Sequence, residues 1–79
     1  MTKTEIVKEV KDIIRNLKEA LAEGDKERFK TANYSVAEGR LNEAKAFLKE
    51  LETVERDELS EAQQFCYEDT LKDLKMMIH

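Results

Sequence analysis

The sequence predicts an all-α fold: a single domain, residues 1–79, built as a small bundle of three antiparallel helical segments. Three observations predict it. Proline is absent, glycine occurs twice, and charged and hydrophobic residues each make up 41% of the chain, a composition typical of helices. Apolar residues recur every three to four positions over three stretches. Capping and stopping residues stand between those stretches.

The first segment is predicted over residues 3–23. Thr2-x-x-Glu5 is a capping box, in which each side chain satisfies a free backbone N–H at the helix start. Ile6, Val7, Val10, Ile13, Ile14, Leu17, Ala20 and Leu21 then fill one face. Gly24 supplies the left-handed position that ends helices, and Asp25 is a good N-cap for the next one. AEGDKERF therefore reads as a tight turn between antiparallel neighbours. The polar surface of this segment is divided. Lys8, Lys11, Arg15 and Lys18 lie on one flank of the apolar face, and Glu5, Glu9, Asp12, Glu19 and Glu23 on the other.

The second segment is predicted over 25–54, kinked or broken near residues 33–40. From Ala37 onward the stripe is regular: Ala37, Leu41, Ala44, Phe47, Leu48 and Leu51, with Val54 at its edge. Projected backward it fails, because Lys26, Lys30 and Asn33 fall on the face that should be buried. Phe29, Ala32 and Val36 form their own stripe, turned by roughly a quarter of a revolution. The rotation coincides with Ser35-x-x-Glu38, a second capping box, and with Gly39.

The third segment is predicted over 58–78. Asp57 or Ser60 can cap it, and Asp57 is the better placed, because Leu59 then falls inside the first turn. Leu59, Ala62, Cys66, Thr70, Leu74 and Met77 form its central stripe, widened by Tyr67, Leu71 and Ile78. Phe65 and Met76 lie on the other side. Apolar groups cover more than the ~100° that an ordinary surface helix needs. That excess predicts either a central position for this helix or a second buried face. The expected core is Ile6, Val10, Ile13, Leu17, Leu41, Ala44, Leu48, Leu51, Cys66 and Leu74.

AEGRLNEAKAF resembles the turn and second helix of a tetratricopeptide repeat, with Gly39, Ala44, Leu48 and Leu51 at that family's spacing. The resemblance covers one repeat. Arg28, Thr31 and Ala32 depart from the aromatic and glycine positions of its first helix. Stacked repeats need about three copies to close a core, and the chain is too short for them.

Function is bounded mostly by exclusion. Cys66 is the single cysteine and His79 the single histidine, so no disulfide within the chain and no metal site are expected. Cys66 sits on an apolar stripe, where an inert buried thiol is expected, and Ser35 and Ser60 read as caps. The carboxylates between residues 50 and 61 lack the pattern of a calcium loop. No glycine-rich phosphate loop is present. Neither catalysis nor a cofactor is expected. No apolar run is long enough for a membrane span, the N-terminus lacks the core of a signal peptide, and a lone cysteine fits a reducing cytoplasm.

The net charge is −4, which argues against nucleic acid as a partner. It is unevenly spread. Residues 50–79 carry three basic and nine acidic groups, whereas 25–49 carry six and four. The expected function is therefore a protein-interaction module, acting as an adaptor, regulator or inhibitor and as a homodimer. Its candidate contact residues are Phe65, Met76, Tyr34 and Val54. The alternative is a nucleic-acid-related regulator, using the basic stripe Lys8, Lys11, Arg15 and Lys18 or an acidic decoy surface in the C-terminal third.

Overall fold

The computed structural model describes residues 1–23 and 34–76. These form three helices, α1 (Lys3–Glu23), α2 (Tyr34–Glu52) and α3 (Glu61–Lys75), and no strand among the described residues. The predicted turn at Gly24 and residues 25–33 lie outside the described residues, as do 77–79.

α1 begins where the sequence places it, with one half of the expected capping box formed. The Glu5 N–H donates to Thr2 Oγ1 at 3.3 Å, and the Thr2 hydroxyl donates to Glu5 Oε1 at 3.2 Å. Two further N–H groups of the first turn are satisfied from across the molecule. Lys3 N–H donates to the Asp57 carbonyl at 3.0 Å, and Thr4 N–H donates to Asp57 Oδ1 at 2.7 Å. The Thr4 hydroxyl donates to the same carboxylate oxygen. Asp57 thus caps α1, not α3.

That reassignment explains why α3 starts at Glu61 and not at 58. Its N-cap is Ser60, in an extended conformation, with a complete capping box. Gln63 N–H donates to Ser60 Oγ at 3.2 Å, and Ser60 N–H donates to Gln63 Oε1 at 3.1 Å.

α2 runs unbroken through Ser35 and Gly39. Among the described residues Ser35 therefore does not start a helix, and Gly39 neither stops one nor forms a turn. Nor does Gly39 mark a close helix contact, because a Cβ built on it meets nothing within 4 Å.

The contacts give the directions of the helices. Lys3 Nζ donates to the Val54 carbonyl at 2.6 Å, so the start of α1 lies beside the end of α2 and the two run antiparallel. The Met1 ammonium donates to Glu68 at 2.9 Å and Lys75 Nζ to Glu9 at 2.9 Å. Going up α1 therefore means going up α3, and these two run in the same direction. At 15 residues α3 is only about 22 Å long, and its last residue, Lys75, lies beside Glu9, Asp12, Ile13 and Asn16 of α1.

α1 is the central helix. It packs on both α2 and α3 and buries Ile6, Val10, Ile13, Ile14, Leu17 and Ala20. α2 contributes Ala37, Ala44, Phe47 and Leu51, and α3 contributes Leu71 and Leu74. α2 and α3 meet where the Phe47 and Tyr67 rings tilt against each other, with centroids 5.7 Å apart. Two parts of the expected core are corrected. Leu41 and Leu48 are only half-buried against the cluster. Cys66 is exposed, as are Ala62 and Thr70. The buried stripe of α3 is Tyr67, Leu71 and Leu74, roughly a quarter turn from the predicted one.

Candidate protein-interaction surface

The buried stripe of α3 fixes what its opposite side presents. At 100° per residue, Tyr67, Leu71 and Leu74 lie about 180–240° around the helix from Phe65. Phe65 and Met76 therefore point directly away from α1. Phe65 is 74% exposed and Met76 65% exposed, so water covers most of two large apolar side chains. They stand eleven positions apart, about 16 Å along the axis. Asp69 and Lys72 stand between them, both exposed. The four side chains at 65, 69, 72 and 76 share an arc of about 60°. None of the ion pairs among the described residues involves Asp69 or Lys72.

Val54 does not join this edge. Val54 is half-buried, and its carbonyl receives Lys3 Nζ. It belongs to the 53–60 connection, which is strapped across the start of α1. The Tyr34 side chain lies outside what the structure describes.

The basic stripe of α1 is exposed at Lys8, Lys11, Arg15 and Lys18, but its charge is interleaved with carboxylates. Arg15 is 3.4 Å from Asp12. Lys8 lines a shallow groove with Met1, Glu5, Glu9 and Asp12. A neighbouring groove is lined by Glu9, Asp12, Ile13, Asn16 and Lys75. There the second carboxylate oxygen of Glu9 has no hydrogen-bond partner, while the first takes Lys75.

Cys66 lines an open groove between α2 and α3, with Glu43, Ala46, Phe47, Glu50, Tyr67 and Thr70. The two carboxylates there come from α2, and the thiol has no basic side chain among these neighbours. Among the described residues no cluster of three metal-ligating side chains forms, and no helix is long and apolar enough to cross a membrane.

Two carboxylates have lowered pKa values. Asp57 is held down first by the hydrogen bond from the Thr4 hydroxyl, then by that from the Thr4 N–H. Glu68 is held down first by its hydrogen bond from the N-terminal ammonium. Both effects belong to the joints that attach the 53–60 connection and α3 to α1. No family model, curated protein or solved structure matches the chain.

Proposed function

We propose that this chain is a non-catalytic protein-interaction module, of the adaptor, regulator or inhibitor kind, that docks through the outer edge of α3. The observation that carries this reading is the exposure of Phe65 and Met76 on one edge, opposite the face that holds α3 to the fold. Aromatic residues and Met are enriched at the centres of protein interfaces, and leaving such a side chain in water forgoes roughly 1.5–3 kcal/mol relative to burial. The edge also lies on a helix, which presents its side chains at fixed spacing, a geometry suited to helix-to-helix recognition.

Photo-crosslinking in native cells tests this reading. A photoreactive amino acid placed at Phe65 is expected to give a discrete protein adduct. The same group placed at Lys45, exposed on α2, is expected to give none. No adduct from position 65, or the same adducts from both positions, overturns the proposal.

A further inference from the structure

We infer that the outer edge of α3 is self-complementary, and that its partner is a second copy of this chain whose α3 pairs antiparallel about a two-fold axis between Thr70 and Leu71. The inference rests on the docking role proposed for this edge and names its occupant.

The four outward residues Phe65, Asp69, Lys72 and Met76 are spaced four, three and four apart. That is the alternating spacing of a coiled-coil seam, and it reads the same in both directions. In an isologous two-fold contact, residue i of one copy meets residue j of the other, and j meets i. With the axis between 70 and 71, Phe65 meets Met76 of the second copy and Asp69 meets Lys72, each twice. Large apolar groups thus close on each other at both ends of the seam, and opposite charges meet at its centre. A parallel, in-register pair would instead set Asp69 against Asp69 and Lys72 against Lys72. The charges therefore select orientation and register, which is what such pairs do better than adding affinity. All four residues are exposed in the single chain, and the core stripe lies on the opposite side of α3. The pairing thus requires no rearrangement of the fold.

Sedimentation equilibrium tests this from about 10 μM to about 1 mM, because a seam of four residues buries less than the ~1,200 Å² of a standard interface. The parent is expected to approach twice its 9.2 kDa mass. Asp69→Lys and Lys72→Asp are each expected to weaken the dimer by about tenfold, since each change sets like charges together at both central layers. An equimolar mixture of these two variants is expected to restore it. One variant then carries lysine at both central positions and the other aspartate at both, so opposite charges meet twice between unlike chains. A parent that stays monomeric throughout overturns the inference. So does a dimer that neither single change weakens, or a mixture that does not recover. Crosslinking at position 65 separates the two failures. A monomeric parent that still yields an adduct with a different protein refutes self-pairing alone. A parent that yields no adduct refutes the docking role as well.

Discussion

Asp57 ties two distant parts of the chain together. It leaves the helix it precedes and caps the one that begins the chain, 53 positions away. Its lowered pKa gives the sign of the pH dependence. A carboxylate whose folded pKa lies below its ordinary value of 3.8 stabilises the fold fully above that value. The contribution is lost as the pH falls through the lower, folded value. Asp57→Ala is therefore expected to lower the urea midpoint at pH 7, with the gap from the parent narrowing at about pH 3. An equal gap at both pH values would show that the carboxylate charge has no part in the cap. Thr4→Val, which deletes the hydroxyl donor, should lose much of its effect in the Asp57→Ala background, a coupling that a double-mutant cycle reads directly.

Two element-scale expectations concern helix continuity and helix start. Gly39 sits inside α2 with open space around it. Gly39→Ala should stabilise the protein by about 0.4–1 kcal/mol, because alanine restricts the unfolded chain and favours the helix. A lowered thermal midpoint for this variant would indicate that the helix does not run through residue 39. Ser60→Ala removes the Oγ acceptor of the α3 capping box and should cost about 1 kcal/mol. Cys66→Ser lies on the exposed side of α3 and should fall within about ±0.5 kcal/mol. Chemical denaturation of the two variants side by side checks both values. A costly Cys66→Ser would restore the buried thiol that the sequence suggested.

For the whole molecule, stability is concentrated on α1. Leu17 of α1 and Leu51 of α2 are 1% and 0% exposed. Replacing either by Ala should destabilise by roughly 2–5 kcal/mol, while Leu48→Ala, at a half-buried position, should cost less than Leu51→Ala. α3 is attached by two buried leucines, the Tyr67 ring and the exposed Met1–Glu68 and Lys75–Glu9 pairs. An exposed ion pair adds at most about 1 kcal/mol. Native-state hydrogen exchange should accordingly find the α3 amides less protected than those at the centre of α1. Equal protection in the two helices would place a stronger interaction on α3 than the fold describes.

Much of this was legible in the sequence for a local reason. The Thr2 cap acts on an N–H group three residues away, and the α1 stripe is one face of one helix. The sequence by itself therefore determined an all-α chain, the start of α1 and the buried face of that helix. It also placed Phe65 and Met76 on one edge, since residues 11 apart are nearly eclipsed on a helix. What the tertiary structure decided depends on which neighbours lie on which side. It made α1 the central helix, left Cys66 in solvent, turned α3 onto Tyr67, Leu71 and Leu74, and gave Asp57 to a distant helix start. A wide apolar arc such as that of α3 is compatible with several rotations about its axis. Only contact with α1, and with Phe47 on α2, selects one of them. A carboxylate beside two helix starts is locally suited to either, and the two donors offered by Thr4 decide between them.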